Sequence, residues 1–224
     1  MSSTPLSVHQ PEAADAESLS DRAYYAIREL IVTLGLAPGS IVSERELQDR
    51  LSVGRTPVRE ALQRLEQERL VEVYPRRGIF VSNVDVLDLG VLSEVRSVLE
   101  GFAARLAAER STAADREQTV ALLAELAELT GNADERLLID LDQRIHRHVY
   151  RCAHNPFLEA TLDGYYMLTL RIWFLALDRV SRLGDAVKEH LELLEAVRDG
   201  APERAAEAMR RHVANFEEAI RRVL

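Results

Sequence analysis

The chain has 224 residues, of which 47% are apolar, with one cysteine and a net charge of −9 at pH 7. That length suits one large domain or two small ones with a real core. The lone Cys152 excludes an internal disulfide and fits a reducing cytoplasm, and no apolar run is long enough to span a bilayer; no membrane partner is expected. The charge is unevenly spread: residues 1–20 hold three acids and no base, residues 21–83 hold ten arginines against nine acids, and residues 84–224 hold 18 bases against 25 acids. An acidic total therefore does not exclude nucleic acid. A local basic face sets contact, while the global sign mainly affects steering.

The first residues, MSSTPLSVHQPEAADAES, lack the basic start and apolar core of a signal peptide. Residues 1–19 read as a disordered, slightly acidic arm. Apolar residues at 27, 30, 31 and 34 predict an amphipathic helix over 21–34, stopped by the Pro38-Gly39 turn. Ser43-x-x-Glu46 is a capping box opening a second helix that runs through about Leu51. After a break at Val53-Gly54, a third helix is expected from Thr56 to Glu68, with Pro57 in its first turn and Val58, Ala61, Leu62 and Leu65 facing inward. Two β-prone runs, 71–74 and 79–82, flank Pro75-Arg76-Arg77-Gly78, a hairpin signal.

Beyond Asn83 the pattern is almost purely helical. Helices are expected at 85–109, 112–130, 134–153, 156–181, 184–199 and 202–223. Asp85 and Ser111 read as N-caps, and breaks fall at Gly131-Asn132, Asn155-Pro156, Leu183-Gly184 and Gly200-Ala201-Pro202. The predicted class is mainly α. A winged helix-turn-helix with a small β-hairpin wing occupies 20–82, and an all-α antiparallel helical bundle occupies 84–224.

The first of these regions has the means to read DNA. The major groove admits one α-helix, and arginine pairs bidentately with guanine. Arg55 and Arg59 are four apart at the start of the third helix, about a quarter turn from its inward stripe at ~100° per residue. Arg45 lies in the first turn of the preceding helix, placed for a phosphate, and Thr56 adds a hydroxyl. Arg76 and Arg77 at the hairpin tip suit a minor groove or the backbone. The plainer reading of any one of these arginines is a solvated surface residue paired with a nearby glutamate.

Gly54-Arg55-Thr56-Pro57-Val58-Arg59-Glu60-Ala61-Leu62, with Arg64-Leu65-Glu66 and Arg77-Gly78-Ile79-Phe80-Val81, resembles the N-terminal domain of GntR-family repressors over about residues 20–82. The resemblance implies DNA contacts at Arg45, Arg55, Thr56, Arg59 and Gly78. Two residues depart from the pattern. Gly54 stands where serine is usual, removing a cap and a phosphate hydroxyl, and Arg69 stands where glycine is usual before the wing.

In the second region, three core stripes each carry an ionisable group. Leu138, Asp142, Ile145 and Val149 share a face with His146; Val187, His190, Leu191, Leu194 and Val197 share another; Ala205, Ala208, Met209, His212, Phe216 and Ala219 form a third. An unpaired buried carboxylate costs several kcal/mol. One divalent cation would satisfy Asp142, His146, His190 and His212 together, and imidazoles with a carboxylate suit zinc first, with nickel, manganese or iron as alternatives. Such a site keeps a net positive charge and favours a small carboxylate. A single histidine on an apolar stripe is more often a hydrogen-bonded core residue, and His9, His148 and His154 read as bystanders. Arg96, on the inward stripe of the first long helix, is a candidate clamp for an effector carboxylate; the alternatives are snorkelling or an ion pair with a glutamate. Arg171 has no clear face, and Tyr165-Tyr166-Met167 reads as core or pocket wall.

The ligand order Asp-x-x-x-His followed by two later histidines resembles the C-terminal FCD domain of the FadR-type branch of the same family, over about residues 85–222. The resemblance implies one metal per chain, an organic-acid effector and an effect of that effector on operator affinity. The expected protein is thus a cytoplasmic, homodimeric transcriptional regulator on a pseudopalindromic double-stranded operator. A metalloenzyme with a nucleic-acid-binding arm is the competing reading, weakened by the lack of a general base, nucleophile elbow or phosphate-cradling loop. A regulator whose metal is purely structural is the third.

Overall fold

The computed structural model describes residues 18–84, 86–128, 135–176 and 187–223. The expected arm up to residue 17, the Asp85 cap, the breaks at Gly131-Asn132 and Leu183-Gly184, and the last turn expected for the 156–181 helix lie outside the described residues. The chain divides into two compact units. The first runs to Asp85 and takes in Leu170–Leu175; the second holds Val86–Thr169 and the residues from Ala176.

In the first unit, α1 (Leu19–Val32) begins two residues before its predicted start, because the Ser18 side chain accepts from the Asp21 amide. It ends earlier too, where Leu34 adopts a left-handed φ of 60°. Ser43 Oγ accepts from the Glu46 amide at 3.3 Å and opens α2 (Glu44–Leu51). α3 (Arg55–Gln67) starts after Gly54, which offers no side-chain cap. Ile27, Ile31, Val58, Ala61, Leu65 and Leu70 are fully buried between these helices.

The end of α3 shows why one departure from the family pattern matters. Leu70 N–H donates to the Leu65 carbonyl and Arg69 N–H to the Glu66 carbonyl, with Arg69 at φ +61°. This is a Schellman ending, in which Leu65 and Leu70 supply the usual apolar contact and glycine is preferred at the left-handed position. An arginine there carries a Cβ penalty of about 1–2 kcal/mol, part of which glycine returns as lost unfolded-chain freedom. Arg69→Gly is therefore expected to stabilise the domain by roughly 0.5–1 kcal/mol, read as a higher urea midpoint at unchanged slope.

The wing is a three-stranded antiparallel sheet rather than a lone hairpin. Its order is β1 (Ile41–Val42), β3 (Gly78–Val81), β2 (Val71–Tyr74), with Ile41 opposite Phe80 and Val73 opposite Ile79. Two residues are too few to show a period-2 pattern, so β1 is created by its pairing with β3. At the tip, Arg77 N–H donates to the Tyr74 carbonyl and Arg76 has φ +65°. With Pro75 before it, this is the type II pattern, in which the third residue must turn left-handed. Gly78 at φ +110° has open space where a Cβ would stand, so conformation rather than crowding requires glycine there.

The described residues after Asp85 are almost all helical: α4 (Val86–Arg110), α5 (Ala113–Glu128), α6 (Glu135–Cys152), α7 (Pro156–Ala176, of which Leu170–Leu175 group with the first unit), α8 (His190–Arg198) and α9 (Pro202–Arg221). The cap of α5 is Thr112 rather than the predicted Ser111. Thr112 Oγ1 accepts from the Asp115 amide while Asp115 Oδ2 accepts from the Thr112 amide, and Ser111 Oγ turns back to the Ala107 carbonyl. α8 starts later than predicted because a turn at Glu189 interrupts the helix. Alanines 104, 107, 108, 196, 205 and 208 lie in one buried cluster with Val149, Leu193 and Met209. Small side chains let α4 and α9 approach closely, which holds their functional residues at fixed spacing.

Cys152 belongs to that cluster and is fully buried. Burial, with Asp115 nearby, pushes its thiol up to about 12. The thiolate is the reactive form. The folded protein is therefore expected to leave a disulfide reagent such as DTNB unreacted at pH 8 over hours, with one thiol per chain appearing only on denaturation.

Candidate metal centre and nucleic-acid interface

Asp142 and His146 come from α6, His190 opens α8, and His212 lies mid-way along α9. All four are buried, and each contributes one ligand atom to a group in which those atoms lie within 4.8 Å of one another. His146 Nε2 is 3.3 Å from both His212 Nε2 and His190 Nε2. Asp142 Oδ1 is 3.8 Å from His190 Nε2, and its Oδ2 is 3.9 Å from His146 Nε2.

The outward edges of the rings explain which nitrogen faces in. His190 Nδ1 donates to the Val187 carbonyl at 3.1 Å, His212 Nδ1 lies 3.3 Å from Glu189 Oε2, and His146 Nδ1 lies 3.2 Å from the Tyr150 hydroxyl. An acceptor at each Nδ1 places the proton there and leaves the Nε2 lone pair pointing inward. Burial, and then the neighbouring His212 and His146, hold His190 well below the ordinary histidine pKa, so it stays neutral. Three inward lone pairs have no donor among themselves, whereas a cation accepts all three. Two nitrogens about 2.0–2.1 Å from one ion and separated as these are subtend roughly 105–110°, close to the tetrahedral angle of zinc sites. The donor set therefore fits a divalent metal.

A surrounding layer was not foreseen from sequence. The Tyr166 hydroxyl donates to Asp142 Oδ2 at 2.6 Å, so the residue read as core or pocket wall fixes the orientation of that carboxylate. Glu100, fully buried, accepts from Arg96 Nε at 2.5 Å with one oxygen and sets the other 3.1 Å from His146 Nδ1. Burial opposes ionisation of Glu100, but Arg96 and His146 outweigh it and draw its carboxyl down to about 2. The only advance signal was the spacing of four between Arg96 and Glu100. Arg96 is buried as expected and takes the ion-paired alternative, yet its Nη1 has no hydrogen-bond partner among the described residues.

The bystanders separate cleanly. His148 is a satisfied core histidine, 2.8 Å from Thr119 Oγ1 and close to Cys152, and exposed His154 pairs with Asp115 at 2.9 Å. His9 lies outside the described residues. Arg171 is buried and donates to the Ser82 carbonyl; burial lowers its guanidinium to about 10.

In the first unit Arg45, Arg55, Thr56, Arg59, Arg76, Arg77 and Gly78 are all exposed. The side chains of Arg55 and Arg59 both reach Glu44, with Nε atoms 3.5 and 3.1 Å from its Oε2. Glu44, also unforeseen, gathers the two arginines at the head of α3. Their side chains remain 65% and 53% exposed, so these pairs are weak and open to exchange. Arg77 lies over the Tyr74 ring at 5.6 Å.

The family model for bacterial regulatory proteins of the gntR family matches residues 19–81, and that for the FCD domain matches residues 91–215. The chain belongs to the GntR family. A transcriptional regulator from an unstable DNA locus of Streptomyces ambofaciens is 32% identical over 89% of this chain and 84% of its own. The galactonate operon transcriptional repressor of Escherichia coli is 30% identical over 85% of this chain and 93% of its own. Among solved structures, Escherichia coli McbR/YncC shares the fold at a TM-score of 0.80 and 20% identity, covering 92% of this chain and 99% of that one. This GntR-family protein is thus a helix-turn-helix transcriptional regulator with an FCD domain, not an enzyme. No helix among the described residues is long and apolar enough to cross a membrane.

Proposed function

We propose that this regulator works in the cytoplasm as a homodimer on a pseudopalindromic double-stranded operator, and that a small organic acid bound beside a divalent metal sets its operator affinity. The division of labour follows the chain: a DNA-binding domain over 20–82 and an effector domain over 84–224. Arg55 and Arg59 read base edges from the head of α3, Thr56 and Arg45 meet phosphates, and Arg76, Arg77 and Gly78 bring the wing against the backbone or minor groove. Asp142, His146, His190 and His212 hold the metal.

The observation that carries the effector half is the convergence of three inward Nε2 atoms on Asp142. Three neutral imidazoles and one carboxylate leave a dication with one positive charge, and the Arg96–Glu100 pair cancels itself. When bound, the metal supplies a positive centre for an oxyanion. Arg96 Nη1, buried and without a hydrogen-bond partner among the described residues, offers a charge-assisted donor to the same carboxylate. The relative named for the galactonate operon supports a sugar acid or similar small acid as the ligand class. Zinc suits this donor set best, and nickel, manganese and iron are the alternatives. Regulation requires that the acid bind two arrangements of the dimer unequally, since equal affinity shifts nothing.

Native mass spectrometry of protein purified without chelator tests the whole reading. The expected species is a dimer with one metal per chain and, on titration, one small acid per chain. A metal-free protein that gains no mass on incubation with zinc would overturn it. Burial of all four ligands also suits a purely structural metal. Unchanged acid affinity in chelated, refolded protein would favour that version.

A further inference from the structure

α4 has a buried side and, opposite it, an exposed apolar row. Leu89, Ser93, Arg96, Glu100, Ala103 and Ala107 face inward and are buried. On the other side Val91, Val95, Val98 and Phe102 are 65%, 41%, 68% and 48% exposed. Other exposed large apolar residues of this unit, such as Val120, Leu137 and Phe157, lie on other helices. Isolated exposed apolar residues are ordinary, but a continuous row is a sign of an interface. Asp88 and Arg105, both exposed, extend the row at its two ends. The six positions 88, 91, 95, 98, 102 and 105 follow the 3-4-3-4-3 spacing of a coiled-coil seam and cover roughly 26 Å of helix.

The row is complementary to itself when reversed. An antiparallel copy of α4, centred between Arg96 and Ser97, sets Val95 against Val98, Val91 against Phe102, and Asp88 against Arg105. Each pairing occurs twice, as a two-fold isologous contact demands. A parallel copy would instead place Asp88 against Asp88 and Arg105 against Arg105. Among the described residues Arg105 pairs with the exposed Glu109 and Glu203, at 3.0 and 3.2 Å, pairs weak enough to yield to a partner's carboxylate.

We infer that this stripe of α4 is the surface on which a second copy of the chain docks, antiparallel, with an apolar centre and an Asp88–Arg105 ion pair at each end. The inference rests on the proposed homodimer and says where it is made.

Sedimentation equilibrium on the full chain tests it. Val98→Glu places two acids in the apolar centre and is expected to raise the dimer dissociation constant by about 100-fold. Asp88→Arg or Arg105→Asp alone should raise it by about 10-fold, and the two together should restore it. Mixing Val91→Cys with Phe102→Cys protein should give an interchain disulfide between the two variants, since buried Cys152 stays silent. Helix content by circular dichroism should not change in any variant, because every altered side chain is exposed. A dimer unweakened by Val98→Glu, with no charge-swap rescue and no mixed disulfide, would overturn the α4 interface while leaving the dimer intact. A wild-type chain that stays monomeric at all concentrations would sink both readings.

Discussion

Replacing His190 with alanine is expected to leave the second unit folded but without a metal-dependent gain in stability. His190 is completely buried, its Nδ1 is anchored to the Val187 carbonyl, and its Nε2 lies 3.3 Å from that of His146. No other described donor can take its place from α8. Loss of an outer-layer partner already costs metal sites about 10–100-fold in affinity, so loss of a direct ligand should cost at least about 100-fold. At metal concentrations about 100 times the wild-type Kd, the wild type gains about 2.7 kcal/mol of folding stability from the ion; the variant should gain almost none. The measurement is thermal melting of wild type and variant, each with and without added zinc after chelation. The cavity left by the imidazole lowers both variant curves alike, so only the difference between them reports ligation. An undiminished zinc-dependent shift in His190→Ala would remove it from the ligand set. Glu100→Gln is the finer version of this test: it keeps the shape beside His146 but removes the carboxylate, and should weaken zinc about 10-fold.

The fold was largely legible because its signals are local. Apolar spacing, the Ser43 cap, Pro57, Pro202 and the turn residues at 75–78 each act within a few positions. What escaped was made by distant contact. β1 exists only because Ile41 and Val42 meet Phe80 and Ile79. The start of α8 depends on a turn at Glu189 that no residue type announces. The four converging side chains were legible because each stands out as an ionisable group among apolar neighbours. Their outer layer was not. Tyr166 and Glu189 are ordinary residues until the fold brings them against Asp142 and His212, Tyr150 is one tyrosine a turn beyond His146, and Glu44 is one acid among many until α3 sets Arg55 and Arg59 over it. The Arg69 departure was visible as a missing glycine, but its physical meaning needed the φ of +61°.

On the DNA side, Arg55→Ala is expected to weaken binding to the cognate operator by about 1–3 kcal/mol per half-site and to relax the preference at one base pair. Arg55 is exposed at the first position of α3, where a recognition helix presents its residues to base edges. Without DNA it shares Glu44 with Arg59. Exposed pairs of this kind contribute about 0–1 kcal/mol, so operator binding displaces them at little cost and the variant should melt like the wild type. Arg76→Ala serves as the contrast. An arginine at the wing tip that meets phosphate should, on substitution, weaken all sequences alike and reduce the slope of log K against log[salt] by about 0.9 per half-site. Fluorescence anisotropy with the operator and with point-substituted operators, each across a salt series, separates the two behaviours. If Arg55→Ala lowers the salt slope and leaves base preference untouched, it holds backbone rather than reading sequence. Glu44→Gln makes the same assignment testable from the other direction. It loosens both arginines without removing either, so it should leave the preferred base unchanged and shift affinity by less than Arg55→Ala does.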